Sequence, residues 1–385
     1  LVLSIDLELQ KFALERLAGE QAAVVVMNIH TGEIHAMAST PSYDSNEFVG
    51  GMSPDVWRKL QRDPQKPLLN RAVRGQYPPG STFKMVVALA ALESGMVSPG
   101  NRVHCPGAFF LGRTRFRCWK RGGHGSMNMH DAIKRSCDVY FYTMARKIGV
   151  ERIAAMSRKL GLGSVEGFDY GGAKPGLIPT PGWKQSTIGE PWYPGETVVA
   201  GIGQGYVLAT PLQLAVYAAR IASGHAVIPR LVRAVGAKSA LAGKFDKLDI
   251  DAKHLDLIRK AMIAVVNERG GTAGRSKFDF NGLLMAGKTG TSQVVSLNKV
   301  RRRGGKIARE HMDHALFVAF TPTENPTYAA AVIVEHGGGG SRAAAPVAKD
   351  VLLKVLERDP ANTPAFELKA PEEQTAQEAA GTRDG

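Results

Sequence analysis

Strand-forming segments stand near both ends of this 385-residue chain, and the long stretch between them is patterned as helices. Near the start, the apolar segments 22–29 and 33–38 flank a His-Thr-Gly turn, which predicts a β-hairpin. Helical periodicity at 5–17 and 345–356 places one helix beyond each group of strands. The remaining strand candidates are 283–290, 315–320 and 328–334. The two ends of the chain are therefore expected to pair into one sheet.

This distribution predicts an α/β (α+β) fold, in which an antiparallel β-sheet flanked by helices carries an inserted all-helical lobe. We expect residues 1–360 to form one domain. The sheet lobe would comprise 1–40 and 275–360, and the helical lobe 41–274. Residues 361–385, which are rich in Ala, Glu and Thr, are predicted to be a disordered tail.

The composition is that of an ordinary globular enzyme, with 44% apolar and 22% charged residues. The net charge of +14 raises the possibility of nucleic-acid binding. Apart from 301–306, however, the basic residues look scattered and not interleaved with aromatic residues, so no nucleic acid is expected. An anionic membrane surface or polymer suits the charge at least as well. The chain has no apolar run long enough to span a bilayer and starts without Met, so we expect a fragment whose anchor lies outside it.

The strongest chemical signal is Ser81, followed three residues later by Lys84. The preceding Tyr-Pro-Pro-Gly segment, 77–80, cannot be helical, whereas 85–95 is apolar on most faces and ends at a glycine. The spacing therefore places both side chains on one face at the start of a buried helix. A serine hydroxyl is a weak nucleophile until a neighbouring base activates it, and an amine held neutral can do so. The pair predicts covalent catalysis.

Two further polar motifs accompany this pair. The first, on a predicted strand, consists of Lys288, Thr289, Gly290 and Thr291. The second, at the junction before an aromatic helix, consists of Ser136, Cys137 and Asp138. The glycine on the strand permits close backbone approach by a ligand. Another Ser-x-x-Lys match at 296–299 lies in a polar loop, and we interpret it as chance.

Taken in chain order, at residues 81–84, 136–138 and 288–290, the three elements resemble the S-x-x-K, S-D-N and K-T-G pattern of penicillin-binding proteins and serine β-lactamases. The resemblance covers nearly the whole chain and includes the flanking segments 76–80, 201–205 and 270–273. These flanks look like a class B high-molecular-weight penicillin-binding protein. The His-Gly pair at 124–125 and the segment 313–320 look like the elongation-type members of Gram-negative bacteria.

The resemblance implies a role for each motif. Ser81 would attack the D-Ala–D-Ala carbonyl and hold the acyl-enzyme, with Lys84 as its base. Ser136 would relay protons towards the leaving group, and Asp138 would position Lys84. The backbone N–H groups of Ser81 and Thr291 would form the oxyanion hole. The substrate carboxylate would be received by Lys288 and by the hydroxyls of Thr289 and Thr291. No cofactor is implied for catalysis.

Residue 138 departs from the pattern, because the family usually has asparagine there. An ionised carboxylate donates no hydrogen bond, so Asp138 cannot offer an amide N–H to the substrate, although it can pair with a lysine. A literal Ser-x-Asn match exists at Ser126 and Asn128. We prefer Ser136, because its spacing from Ser81 and its place before an aromatic helix fit the family better.

All three cysteines, Cys105, Cys118 and Cys137, lie within a short, glycine-rich and basic segment that also contains His124. A Cys3His set is a sufficient tetrahedral ligand complement for structural Zn2+, and a loop with little apolar material gains most from a metal. His104 and His130 are spare ligand candidates. The alternatives are a Cys105–Cys118 disulfide with Cys137 free, or three unrelated core residues. Trp119, beside Cys118, is expected to pack the loop rather than to line a groove.

The leading functional hypothesis is a peptidoglycan D,D-transpeptidase that cross-links stem peptides during cell elongation and is acylated by β-lactams. The alternatives are a D,D-carboxypeptidase, a β-lactamase, or a non-enzymatic β-lactam sensor or scaffold. The resemblance also implies a single-pass inner-membrane anchor, a pedestal domain and a periplasmic catalytic domain. The implied partners are lipid-linked precursor strands, a SEDS-type glycosyltransferase and other proteins of the elongation complex.

Overall fold

The computed structural model of the protein describes residues 1–49, 51–236, 238–239, 244–294 and 308–362. The second Ser-x-x-Lys match at 296–299, the basic run at 301–306 and the tail from 363 onward lie outside the described residues. In the described part, no helix is both long and apolar enough to cross a bilayer.

The strands are β1 (Val2–Leu3), β2 (Ala22–Asn28), β3 (Ile34–Thr40), β4 (Val103–Cys105), β5 (Ala108–Leu111), β6 (Thr114–Arg117), β7 (Gly125–Met127), β8 (Val232–Val235), β9 (Lys238–Ser239), β10 (Ala286–Ser292), β11 (His314–Thr321) and β12 (Tyr328–Val334). The helices are α1 (Leu7–Arg16), α2 (Pro54–Arg62), α3 (Arg71–Arg74), α4 (Lys84–Glu93), α5 (Met129–Lys134), α6 (Asp138–Ile148), α7 (Val150–Lys159), α8 (Pro181–Ile188), α9 (Pro194–Ala200), α10 (Pro211–Ser223), α11 (Ala252–Asn267) and α12 (Ala344–Arg358). A 3-10 turn, Gly80–Phe83, leads directly into α4.

The main sheet has five strands in the order β10-β11-β12-β2-β3, and every neighbouring pair is antiparallel. Every residue of β2 and β12 is buried, so both faces of the sheet centre are covered. Helices α10 and α11 pack together against the sheet, as do α1 and α12. Strand β10 stands at one edge, where the turn before α4 contacts it. This edge is where the Lys288 motif meets the Ser81 motif.

The predicted fold class is confirmed, and the predicted strands of the main sheet are all present. Strand β12 matches its prediction residue for residue, whereas β10 begins at Ala286 rather than at residue 283. These strands were predictable because burial on both faces requires continuous apolar segments.

The expectation that the inserted lobe is all-helical was wrong, because the lobe contains short strands. Strands β4 and β7 form one two-stranded sheet, and β5 and β6 form another. Strand β8 pairs with β1 at the chain start and with β9. The segments of the two small sheets are only three or four residues long; Ala108–Leu111 is apolar throughout, whereas Thr114–Arg117 has a single apolar residue. They therefore lack the alternation that marks a half-buried strand.

Candidate active site

A tight turn holds Ser81 against the edge strand β10. Gly80 has φ +55°, and a Cβ built on it would lie 2.4 Å from the carbonyl oxygen of Thr291. Its N–H donates to the carbonyl of Gly203 at 2.8 Å. Only glycine satisfies both the positive φ and the close approach, so Gly80 brings the turn into contact with β10. Ser81 follows on this turn and is partly exposed.

Lys84 is completely buried one turn after Ser81, and its ammonium group has three partners. Its Nζ donates to Asp138 Oδ1 at 2.7 Å, to the Ser136 carbonyl at 2.9 Å and to Ser136 Oγ at 3.1 Å. These contacts use all three donors of a lysine. Ser81 Oγ has no hydrogen-bond partner among the residues that the structure describes. Lys84 is therefore fixed by the Ser136 motif one turn after Ser81, whose hydroxyl is free to meet a substrate.

Lys288 reaches the same point from the opposite side. It is completely buried on β10, and its Nζ donates to Ser136 Oγ at 3.0 Å and to the carbonyl of Thr289 at 2.9 Å. Burial lowers the pKa of Lys288 well below its ordinary value, and the nearby positive charge of Lys84 lowers it further, against the opposing charge of Asp138. The charged form of the amine is thus destabilised at this position.

Ser136 joins the two lysines through one hydroxyl. It is buried and has φ +55°, a conformation that is costly for a residue with a side chain. Such strain persists only where the surroundings over-determine the backbone, and it is common at functional sites. The turn between α5 and α6 therefore aims Ser136 at both lysines.

The alternative motif, Ser126 and Asn128, lies elsewhere. Ser126 is exposed, and its Oγ accepts from Arg102 Nε at 2.8 Å. The side chain of Asn128 caps α5 by accepting from the N–H of Asp131 at 2.8 Å. The Ser-x-Asn match at 126–128 thus has a local structural explanation. Of the two candidate serines, Ser136 is the one hydrogen-bonded to Lys84 and Lys288.

We expect replacement of Ser136 by alanine to lower the rate of Ser81 acylation by penicillin by about 10²–10³-fold, because it removes the hydroxyl shared by two amines. Replacement of Ser126 by alanine is the matched control and should leave the rate within about twofold. Stopped-flow labelling with a fluorescent penicillin measures both. An unchanged rate in Ser136→Ala would contradict the assignment.

The geometry explains why residue 138 can be aspartate. Asp138 Oδ1 accepts from Lys84, and Oδ2 accepts from the main-chain N–H of Trp119 at 2.8 Å. Two donors converge on one side chain, and a carboxylate accepts from both. An asparagine would have to point its NH2 group at one of these donors. Position 138 therefore suits a side chain that only accepts hydrogen bonds, as a carboxylate does.

Trp119 does more than pack the loop, and that expectation was incomplete. Its ring makes an edge contact with His124, at 5.4 Å between centroids, but its side chain is 59% exposed. Its Nε1 donates to the carbonyl of Ser136 at 2.9 Å, and its main chain holds Asp138. Trp119 thus supports both polar residues of the second motif.

The remaining residues of the Lys288 motif lie along the edge strand. Thr291 is exposed, whereas Thr289 is buried with its Oγ1 2.8 Å from Thr272 Oγ1. A Cβ on Gly290 would lie 2.9 Å from the carbonyl of Pro79, so this glycine admits the turn that carries Ser81. The predicted reason, close approach of a ligand, stays a prediction beside this packing role.

Gln204 and Thr272 had no predicted role, although both belong to glycine-containing segments, 201–205 and 270–273, that resemble the family. Gln204 Nε2 donates to the carbonyl of Thr291 at 3.1 Å, and Thr272 meets Thr289. The glycines beside them were the available signal.

Cys105, Cys118, His124 and Cys137 form a compact cluster, in which one ligand atom from each lies within 4.8 Å of the others. His124 Nδ1 is 3.6 Å from Cys105 Sγ and 3.5 Å from Cys118 Sγ. A tetrahedral Cys3His zinc site has ligand atoms about 3.5–3.8 Å apart, so these residues fit the ion. All three thiols are free, and neither His104 nor His130 belongs to the cluster.

Two thiols of the cluster interact directly. Hydrogen bonding from Cys137 and from His124 lowers the pKa of Cys118 and favours a thiolate there, whereas the same interaction raises the pKa of Cys137. Cys137 precedes α6 and separates Ser136 from Asp138. A metal bound here would hold the Ser136 motif directly.

Residues 22–353 match the family described as penicillin binding protein transpeptidase domain. The peptidoglycan D,D-transpeptidase MrdA of Acinetobacter baumannii is 40% identical over 360 residues, which cover 90% of this chain and 53% of that protein. The chain thus spans about half the length of the curated relatives it matches.

Two solved structures extend the comparison. Pseudomonas aeruginosa PBP2 in complex with WCK 5153 is 39% identical with a TM-score of 0.84, covering 96% of this chain and 78% of that one. PBP2 of Helicobacter pylori in complex with MreC is 35% identical with a TM-score of 0.84, covering 92% of this chain and 64% of that one.

Proposed function

The chain belongs to the penicillin binding protein transpeptidase domain family, and we propose that it is a peptidoglycan D,D-transpeptidase acylated on Ser81. The observation that carries the proposal is the convergence of Lys84 and Lys288 on the hydroxyl of Ser136, beside the turn that presents Ser81. The substrate is the D-Ala–D-Ala end of a stem peptide, and penicillins are acylating substitutes for it.

In the first half-reaction, Ser81 Oγ bonds to the carbonyl carbon of the penultimate D-Ala. The proton of Ser81 Oγ passes to Lys84 Nζ. At the same time Lys84 gives a proton to Ser136 Oγ, and Ser136 gives its own proton to the neutral amine of Lys288. The C–N bond then breaks, and the departing D-Ala amine takes a proton from Ser136. In the second half-reaction an acceptor amine attacks the ester, its proton enters the same relay, and Ser81 regains its hydrogen.

Substrate binding uses the edge of β10. The exposed hydroxyl of Thr291, the Thr289 hydroxyl beside it and the Lys288 amine receive the terminal carboxylate of the peptide. The main-chain N–H groups of Ser81 and Thr291 form the oxyanion hole. The contact of Gly80 with Thr291 supports this assignment, because it fixes the two N–H groups on adjoining segments.

Labelling with a fluorescent penicillin, followed by peptide mass spectrometry, tests the proposed function. We expect a stable one-to-one adduct on Ser81 that is absent from Ser81→Ala and retained by Ser126→Ala. Rapid release of the adduct would indicate a β-lactamase, and no adduct would indicate a scaffold. With stem-peptide substrates, D-Ala release without cross-links would indicate a carboxypeptidase. A stable adduct without activity on stem peptides would indicate a sensor.

Structural Zn2+ is the metal that we propose for Cys105, Cys118, His124 and Cys137. The ion would link β4, the segment after β6 and the start of α6, and so hold the glycine-rich loop in place. It would take no part in the reaction.

Metal analysis of protein purified without added zinc should find about one equivalent. His124→Ala should lose most of it and melt at a lower temperature, whereas His104→Ala, the matched control, should not change. Less than about a tenth of an equivalent, together with a Cys105–Cys118 disulfide, would contradict the metal site.

In the cell, we propose that this domain faces the periplasm, tethered to the inner membrane by a segment outside the chain. Its partners would be a SEDS-type glycosyltransferase and other elongation-complex proteins, and its substrates lipid-linked precursor strands. The complex of Helicobacter pylori PBP2 with MreC supports partners of this kind.

A further inference from the structure

The hairpin formed by β5 and β6 and the loop after it carry a concentration of unpaired positive charge. Residues 94–130 contain no Asp or Glu but six Arg or Lys residues. Five of these are exposed on the hairpin and loop, namely Arg113, Arg115, Arg117, Lys120 and Arg121. Within the described ranges none of the five pairs with a carboxylate, whereas the nearby Lys134 pairs with Glu268. Their charge is available to a ligand.

The two faces of this hairpin are different. Phe109 lies opposite Phe116, and both rings pack on Tyr142 of α6, at centroid distances of 6.1 and 5.8 Å. On the other face, Phe110 lies opposite Arg115, whose guanidinium is 5.9 Å from the ring centroid. Phe110 is 61% exposed. The inner face therefore anchors the hairpin to the fold, and the outer face displays cations beside an aromatic ring.

We give the name cationic ribbon to six exposed residues of the hairpin and of the loop after it, namely Phe110, Arg115, Arg117, Trp119, Lys120 and Arg121. The expectation that the basic residues are scattered without aromatic neighbours was wrong for this segment. Its two exposed aromatic side chains, Phe110 and Trp119, lie among the cations in the sequence.

The cationic ribbon is continuous with the acylation site. Trp119, at its inner end, donates from Nε1 to the carbonyl of Ser136 and from its main chain to Asp138. A chain lying on the ribbon therefore reaches Ser136 and Asp138, the residues that hold Lys84. Because this surface leads to an acylating serine, its ligand is most simply the polymer that presents the acyl donor.

We propose that the cationic ribbon binds a carboxylate-bearing glycan–peptide strand of peptidoglycan and guides its stem peptide to Ser81. Guanidinium groups bind carboxylates through charge-assisted hydrogen bonds, and exposed aromatic rings cover the apolar faces of sugars and aliphatic side chains. Stem peptides carry free carboxylates along their length, and the glycan supplies the sugar faces. The inference rests on the proposed function and adds a second contact region for the same substrate.

Co-sedimentation with purified peptidoglycan sacculi, at several salt concentrations, tests the ribbon. Arg115→Glu/Arg117→Glu should weaken binding by about tenfold or more and flatten its dependence on salt. Lys59→Glu/Arg62→Glu, on the exposed helix α2, makes the same charge change and should bind like the parent protein. Arg115→Gln/Arg117→Gln removes the charge without reversing it, so its binding to sacculi should be intermediate. Thermal melts verify that every variant is folded.

The chemistry of the ligand is tested separately. Sacculi whose carboxylates have been converted to amides should bind the parent protein about tenfold more weakly. Unchanged binding by the glutamate variant, or equal binding of amidated sacculi, would overturn the proposal. So would tighter binding of the parent to anionic phospholipid vesicles or to DNA than to sacculi. Failure of the proposed function would be seen differently, as the absence of a penicillin adduct on the parent protein.

Discussion

Replacing Lys84 with methionine should lower the rate of Ser81 acylation by about 10³-fold, because it removes the group that takes the serine proton. Methionine fills a similar volume but cannot satisfy Asp138, whose Oδ1 lies 2.7 Å from Lys84 Nζ in a buried site. Removing one partner of a buried ion pair costs about 3–5 kcal/mol of stability. The variant should therefore lose both activity and thermal stability, measured by penicillin labelling and calorimetry.

A double variant separates these two losses. Lys84→Met/Asp138→Asn leaves no unpaired buried charge, so it should regain most of the melting temperature that Lys84→Met loses. Its acylation rate should stay as low as that of the single variant, because no base has been restored. Recovery of the rate together with the stability would contradict a direct role for Lys84.

Replacing Asp138 with asparagine should lower the acylation rate by about 10–100-fold, although asparagine is the residue that the family pattern usually has there. The Lys84 ammonium and the Trp119 N–H both donate to this side chain, and an amide NH2 group turned towards either one places donor against donor. We expect the maximal rate of acylation to fall more than the affinity for penicillin, because the affected group is the base rather than the carboxylate site.

Asp131→Asn is the matched control for this variant. Asp131 lies on α5, only partly buried, and its carboxylate contacts His130 at 3.9 Å rather than the active-site lysines. The same chemical change should leave acylation within about twofold there. Wild-type acylation in Asp138→Asn would show that Trp119 does not select aspartate at position 138.

The main sheet could be predicted because its strands are buried on both faces. Segments such as Tyr328–Val334 are continuously apolar, and their position near the ends of the chain left one sheet as the simple solution. The small ribbons could not be predicted in the same way. Arg115 and Arg117 alternate with Thr114 and Phe116 on a half-exposed hairpin, so no core-facing stripe marks the strand.

The candidate site divides in a similar manner. Ser81, Lys84, Ser136 and Lys288 could be named in advance because each side chain belongs to a motif with fixed spacing. The contacts of Trp119 with Asp138 and Ser136 could not, because one uses a main-chain N–H, which every residue except proline possesses. The exposed hairpin charge was visible in the sequence, but its common face depends on the strand register of β5 and β6.

A crystal structure of the protein after reaction with a penicillin tests the central claim most directly. The account predicts an ester on Ser81 Oγ, with the amines of Lys84 and Lys288 and the hydroxyl of Ser136 around it and the penicillin carboxylate against β10. An acyl group on another residue, or a Ser81 ester turned away from both lysines, would contradict it.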